Sequence, residues 1–252
     1  MKRMNIKRIL LLLAIFAAAL SLILGGCKPK NPVTPSGDPS GGETETLTAI
    51  DPTTVEPTTD TATFDPSSIP DFNGEDYLII VNDNHTFFME AELLTEYTTS
   101  ISELDELGRA QVAWMCADEP HIQTGERESI YKLKPAGWHG GGFYERSHLL
   151  MWKLSGINDL RNLVTGTATF NEVNMQDYEK KVTAYLWDHD KNHVMYRVTP
   201  VYHGSELLCR GVLMEAYSVE DNGRLEYCVF VYNAEPGAII DYATGDFMIE
   251  AN

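Results

Sequence analysis

Tyr144-Glu145-Arg146-Ser147-His148-Leu149-Leu150, then Arg161-Asn162-Leu163-Val164-Thr165-Gly166-Thr167, then Asn171 and Glu179, is the stretch on which the reading of this chain turns. Its residue types suit hydrolysis of a phosphodiester. That reaction needs a base to take a proton from water, and a neutral imidazole serves near pH 7. It needs a cation to offset charge gathering on the phosphorane and the leaving oxygen, which hydrated Mg2+ supplies. A guanidinium adds a planar, bidentate phosphate clamp. An Asn carbonyl can hold a hydrated ion without a carboxylate cage. Taken singly, each residue also has an ordinary structural role: Arg146 on the surface, His148 as a satisfied half-buried histidine, Asn162 and Asn171 as caps, Glu179 on a solvated helix face. If Asn171 and Glu179 share one regular helix, they lie about 80° apart in azimuth and about 12 Å apart along the axis. Both would be inner-shell ligands of one ion only if that helix breaks, so Glu179 is expected to act through a metal-bound water.

Downstream, Tyr178, Val182, Tyr185 and Leu186 fall at i, i+4, i+7 and i+8, the buried stripe of a helix. Residues 195–202, 207–219 and 225–232 are β-rich, and the last two flank Glu220-Asp221-Asn222-Gly223, where Asn-Gly is the strongest short hairpin signal. A turn at Asn222-Gly223 makes cross-strand partners sum to about 445, which places Cys228 opposite Tyr217 and Cys209 opposite Pro236. In that register the two cysteines are not bridged. With Cys116 they read as small buried hydrophobes. Upstream, Tyr77 to Val81 reads as a strand ended by Asn82-Asp83-Asn84, and Leu104, Leu107 and residues 110–112 as a short helix or turn leading into 112–116. The head is thus α+β: strands, a central helical stretch near 150–187, then an antiparallel hairpin.

Other chemistries fail on spacing. His139-Gly140-Gly141-Gly142 looks like a lipase oxyanion loop, but no serine has glycines two before and two after it. Asp188-His189-Asp190-Lys191-Asn192 starts like a calcium loop and fails at His193, where Gly is needed, and at Thr199, where Glu is needed. There is no H-E-x-x-H and no C-x-x-C.

Charge divides the 252-residue chain into three. Residues 1–30 hold 6 basic and no acidic residues, 31–69 hold 7 acidic and no basic ones, and 70–252 hold 13 basic and 30 acidic, net -17. Lys2, Arg3, Lys7 and Arg8 precede an apolar run over residues 9–24 that only Ser21 interrupts. The run is short for a membrane span, which needs about 20 apolar residues, and suits a signal peptide. It ends in Leu24-Gly25-Gly26-Cys27, which resembles a bacterial lipobox, the alternative being an ordinary signal or an anchor with an incidental Cys27. The lipobox reading expects a signal peptide over 1–26, acylation at Cys27 and placement on the outer face of a bacterial membrane, with shedding as an alternative fate. Two acyl chains anchor stably where one does not. In residues 28–69, Pro, Thr, Ser and Gly make up 24 of 42 positions, with no apolar periodicity to bury. The expected organisation is a disordered tether over 27–69 and a folded domain over 70–252.

The ordered set of motifs resembles the DNA/RNA non-specific endonucleases, in the branch of the streptodornases and DNA-entry nucleases. The likeness runs from about Leu104 through Gly108-Arg109-Ala110, Gly137-Trp138-His139, the 144–179 stretch and Tyr196-Arg197-Val198-Thr199-Pro200 to Asp241-Tyr242-Ala243-Thr244-Gly245. It implies a ββα-metal (His-Me finger) core with an antiparallel sheet. It also implies a Mg2+ cofactor, with Mn2+ as an alternative, and DNA and RNA as substrates read with little sequence preference. His148 matches the general base, Asn171 the metal-ligating Asn, and Glu179 the acid that positions a metal-bound water. Arg146 is matched as a catalytic phosphate support, and Glu145, Asn162 and Arg161 as support for substrate and site. Glu145 and Ser147 depart from the family's Asp and Gly. The Glu adds a methylene, and Ser147 carries a Cβ that a glycine-only conformation would refuse.

The net charge opposes this reading, because an acidic head repels a polyanion. Arg146, Lys153, Arg161, Lys180 and Lys181 nevertheless lie in or near the motif, and charges beyond about 8 Å are screened at physiological salt. A surface-tethered nuclease is therefore weighed against a catalytically degenerate relative acting as a nucleic-acid-binding or interaction lipoprotein. No obligate protein partner is expected.

Overall fold

The computed structural model describes residues 63–250. The expected signal peptide, Cys27 and the tether up to residue 62 lie outside the described residues. Thirteen regular elements follow one another. β1 (Leu78–Ile80), β2 (Thr98–Ile101), β3 (Ala113–Ala117) and β4 (Tyr144–His148) come first, then α1 (Trp152–Ser155) and β5 (Leu163–Thr167). A π-helical turn (Thr169–Met175) runs directly into α2 (Gln176–Asp188). β6 (Val194–Val201), β7 (Gly211–Ser218), β8 (Glu226–Tyr232), β9 (Ala238–Ile240) and β10 (Phe247–Ile249) complete the chain.

Six strands form one antiparallel sheet in the order β1-β8-β7-β6-β3-β2. Its two faces are read directly from alternation. Val212, Met214 and Ala216 of β7, with Tyr227, Val229 and Val231 of β8, face the main core beside Leu149, Leu154, Phe170, Val182, Tyr185 and Leu186. Leu213, Cys228, Phe230 and Tyr232 face a smaller cluster closed by Phe64, Ile69, Phe72, Tyr77 and Phe87. Covering both faces explains why β7 and β8 read as nearly continuous apolar runs. Phe64 and Ile69 fall in the stretch expected to be tether, yet they pack on this sheet, so packed structure starts before residue 70.

β4 and β5 pair antiparallel as a separate ribbon, with His148 opposite Leu163 and Glu145 opposite Gly166. Asn233, fully buried, fixes this ribbon to the end of the large sheet. Its Nδ2 donates to Thr165 O (3.0 Å) and Cys209 O (3.1 Å), and its Oδ1 accepts from Thr167 N (3.0 Å). Gly166 is needed for close approach: a Cβ there would lie 2.3 Å from Ser147 Oγ and 2.5 Å from Phe170.

Two sequence expectations change, and one pair of alternatives is decided. The stretch near 150–187 is not helical throughout, because β5 interrupts it; its β-branched run 163–167 pairs with β4. Of the two readings of residues 104–112, a short helix or a turn, the structure has the turn. The β7–β8 register sums to 443 (Glu215↔Cys228, Tyr217↔Glu226) rather than 445. The turn centres one residue earlier, with Asn222 and Gly223 both at positive φ (55° and 82°) and Gly223 N donating to Ser218 O. Cys228 therefore faces Glu215, and Cys116, Cys209 and Cys228 are buried and free, as the unbridged reading expected.

Candidate active site

The β4–β5 ribbon and the helical segment after it converge on a cavity of about 200 Å3 lined by Arg127, Arg146, His148, Met151, Trp152, Lys153, Asn171, Gln176 and Glu179. His148 arrives at the last position of β4, where the strand ends and its side chain enters the cavity. It is only 7% exposed. Arg127 Nη2 donates to Nδ1 (3.1 Å), so Nδ1 carries the lone pair; Nε2–H donates to Asn158 Oδ1 (3.3 Å). Burial and the nearby Arg127 guanidinium push the imidazole down to about 4. The ring is thus neutral at pH 7, with Arg127 on its Nδ1 lone pair.

Asn171 lies in the π-helical turn and Glu179 in the first turns of α2. The single regular helix that would separate them is absent. A π turn closes i→i+5 bonds and shifts the phase of every side chain after it, and both residues line the one cavity. Asn171 Nδ2 donates to Glu145 Oε2 at 2.5 Å. The longer Glu at 145 thus reaches the Asn amide and fixes its rotation. Among the described residues Asn171 Oδ1 has no hydrogen-bond partner. Glu179 is buried on the cavity wall, and burial raises its carboxyl to about 8, with Arg127 and Lys180 offsetting part of that rise. Burial disfavours the charged form of this carboxyl, and a cation placed against it would restore that form. No group of three or more His, Cys, Asp or Glu among the described residues is placed to cage a metal ion. An Asn carbonyl and one carboxylate are hard oxygen donors that suit a small cation keeping several waters, such as Mg2+. The residues present therefore fit that ion.

Arg146 stands on the rim. Its Nε and Nη2 donate to Leu133 O and Tyr131 O, each at 2.6 Å, and its guanidinium stacks 4.0 Å from the Trp138 ring centroid. Those bonds hold it in one orientation at the cavity. Ser147 sits in extended strand, outside the positive-φ residues, so no glycine-only backbone is required at that position. Its cost is instead a fully buried hydroxyl without a partner.

Of the residues expected to support substrate and site, Arg161 and Asn162 lie outside the cavity lining. Arg161 is not among the cavity residues; its guanidinium is engaged by Asp159 and by Glu103 (2.6 Å). Asn162 is fully buried and clamps the chain after β4. Its Oδ1 accepts from Leu150 N (2.8 Å), and its Nδ2 donates to Leu150 O (3.0 Å) and Ile157 O (3.4 Å). It thereby sets the loop that brings Asn158 to His148. Of the expected basic strip, Lys153 lines the cavity, while Lys180 sits by Asp177 and Lys181 over Tyr178. Arg127 and Asn158 were not singled out by the sequence. Neither belongs to a local pattern, since Arg127 comes from the irregular segment before β4 and Asn158 from the loop after α1.

Comparison with known proteins agrees with this geometry. The family model described as DNA/RNA non-specific endonuclease matches residues 91–220, just over half of the chain. A deoxyribonuclease of Streptococcus dysgalactiae subsp. equisimilis is 35% identical over 109 residues, 42% of this chain. The match spans about a third of that protein's length (33%). The crystal structure of NucA from Streptococcus agalactiae with a magnesium ion bound superposes with a TM-score of 0.61 at 25% identity, over 69% of this chain and 87% of that one. The structure of Sda1 nuclease with a bound zinc ion gives 0.54 at 31% identity, over 60% and 80%. With the ββα arrangement of β4, β5 and α2 carrying His148, Asn171 and Glu179 into one cavity, the chain belongs to the DNA/RNA non-specific endonuclease family.

Proposed function

We propose that this protein is a metal-dependent endonuclease that hydrolyses DNA and RNA with little sequence preference, held on the outer face of a bacterial membrane through Cys27. The observation that carries the reading is His148: a buried, neutral imidazole, its Nδ1 held by Arg127, in the same cavity as Asn171, Glu179 and two guanidinium groups.

In this reading His148 Nδ1 takes the proton of the attacking water. Asn158 accepts Nε2–H and so holds the tautomer that leaves Nδ1 free of hydrogen. The positive ring formed at that moment would lie against the Arg127 guanidinium. Arg127 must therefore leave Nδ1, and the scissile phosphate is the anion it turns to. Arg146, fixed by Tyr131 O, Leu133 O and Trp138, contributes a second guanidinium that needs no rearrangement. Asn171 Oδ1, and Glu179 through a water, would hold Mg2+, which supplies electrostatic stabilisation of charge on the phosphate and leaving oxygen when bound. Glu145 keeps the Asn171 amide turned so that its oxygen faces the cavity.

Plasmid nicking by the purified chain with Mg2+ and with EDTA tests the function. Relaxed and linear products with Mg2+ alone are expected; intact supercoiled plasmid under both conditions would favour the degenerate binding protein instead. The anchor has a separate test. Metabolic labelling with a radiolabelled fatty acid should mark the wild-type chain and leave Cys27→Ala unlabelled, because acylation needs the thiol; equal label on both would exclude Cys27.

A further inference from the structure

The cavity's rim on one side is the short helix α1, which presents Met151, Trp152 and Lys153. Lys153 extends from that rim over Trp187, its Nζ 4.5 Å from the ring centroid. Trp187 stands near the end of α2 and is 54% exposed. It follows Glu179 by eight residues on the same helix, about 12 Å along the axis. Lys153, which lines the cavity and sits over the ring, joins Trp187 to the site.

Electrostatics gives this ring a reason to be in water. The folded part of the chain is strongly acidic, with net -17 over residues 70–252. Long-range attraction cannot gather a polyanion. Positive charge does gather in the cavity, where Arg127, Arg146 and Lys153 line the wall with one acid, Glu179. Beyond it, affinity must come from short-range contacts that carry no net charge. An aromatic face provides such a contact for any base, because every base has a π face.

We infer that Trp187 and Lys153 form a subsite for an unpaired nucleobase next to the scissile phosphate. The indole stacks on the base, and the ammonium, held over the ring, meets the adjoining phosphate. Bases inside an intact duplex are stacked on their own neighbours and cannot use the ring. The subsite therefore favours single strands, gaps and frayed ends. The inference rests on the nuclease reading and adds a substrate preference to it.

The test is binding of the full chain, in EDTA, to three fluorescein-labelled ligands read by anisotropy: a thymidine oligonucleotide, a fully abasic strand of equal length and charge, and a blunt hairpin duplex. Trp187→Ala should weaken thymidine-strand binding about 5- to 150-fold, the value of one stacked base. The abasic strand and the duplex should bind the variant as they bind the wild type. Trp187→Phe should recover most of the loss, which a merely structural role for the indole would not produce. Lys153→Gln should weaken the thymidine and abasic strands together, since both carry the phosphate. Equal loss on all three ligands in Trp187→Ala, or no loss on the thymidine strand, overturns the subsite. A wild-type chain that nicks plasmid with Mg2+ while giving that result keeps the nuclease reading and loses only the subsite. A chain that neither nicks plasmid nor binds any of the three ligands loses both.

Discussion

His148→Ala is expected to lower plasmid cleavage about 10²–10⁴-fold, the range a positioned general base contributes. Nδ1 is the only imidazole acceptor lining the cavity, and no other neutral base stands on its wall. The substitution also leaves Arg127 and Asn158 without their ring partners, at a cost of about 1–3 kcal/mol for a buried unsatisfied group. A thermal melt should accompany the assay, and His148→Asn, which keeps a polar group of similar size, separates loss of the base from loss of fold. Cleavage by folded His148→Ala at the wild-type rate would remove the assignment. The pH profile gives a second readout. The folded imidazole titrates at about 4, below its ordinary value of 6.5. A lowered value means the unfolded chain takes up the proton first as pH falls. Stability contributed by His148 is therefore full above pH 6.5 and lost progressively down to about pH 4, on the order of 3 kcal/mol across that window. His148→Ala should show a flatter melting temperature between pH 7 and 5 than the wild type.

Much of the candidate site was legible because its residues are local in the chain. His148 ends a strand, Asn171 and Glu179 follow on one helical segment, and the stripe of Val182, Tyr185 and Leu186 announces that segment by its period. What the sequence missed depends on long-range closure. Arg127 meets His148 only because the irregular segment before β4 folds back across the cavity. Nothing around Gly125-Glu126-Arg127 marks that arginine among the chain's others. Arg161 and Asn162 lie beside the cavity rather than in it. They sit within the motif, but Asp159 and Glu103 engage the first, and Leu150 and Ile157 surround the second. Asn162 supports the site from behind by shaping the loop that carries Asn158, and Arg161 is tied to acids outside the cavity. The β7–β8 register erred for a related reason: Asn-Gly marks the turn, but the connection is a longer loop, with Gly223 N donating to Ser218 O and Ser218 Oγ linking Asp221 Oδ1 and Leu225 N, and it centres one residue earlier. The helix argument failed at one assumption, regularity. The π turn at Thr169–Met175 has no signature in residue type, and it is the break that permits Asn171 and Glu179 to share a cavity.

Asn171→Ala is expected to weaken Mg2+ binding and turnover together, and more severely than Glu179→Gln weakens binding. The difference follows from the groups each removes. Asn171 offers an unpartnered carbonyl oxygen, held in orientation by Glu145, and alanine replaces it with nothing. Asn171→Asp keeps an oxygen at the same reach and adds charge; it should retain metal while losing turnover, since Glu145 would then face a second carboxylate rather than an amide donor. Glu179→Gln keeps shape and an acceptor but removes the charge. Outer-shell changes commonly cost about 10–100-fold in affinity or activity. Glu179 also sets the pH dependence. With its carboxyl raised to about 8, it holds a proton at neutral pH, and a cation entering the cavity must expel that proton. Metal affinity of the wild type should therefore rise by up to about tenfold per pH unit from pH 6 to 8 and level off above, as expected for one proton released per ion bound. In Glu179→Gln the slope should vanish. Calorimetric titration of each variant with MgCl2 at pH 6, 7 and 8 measures both effects without recourse to cleavage. If Glu179→Gln loses metal as severely as Asn171→Ala, Glu179 binds the ion directly, and the π turn has brought both oxygens into one coordination shell. If the wild type shows no slope below pH 8, the buried carboxyl is not coupled to the ion, and Glu179 serves the cavity only through its charge on the neighbouring guanidinium.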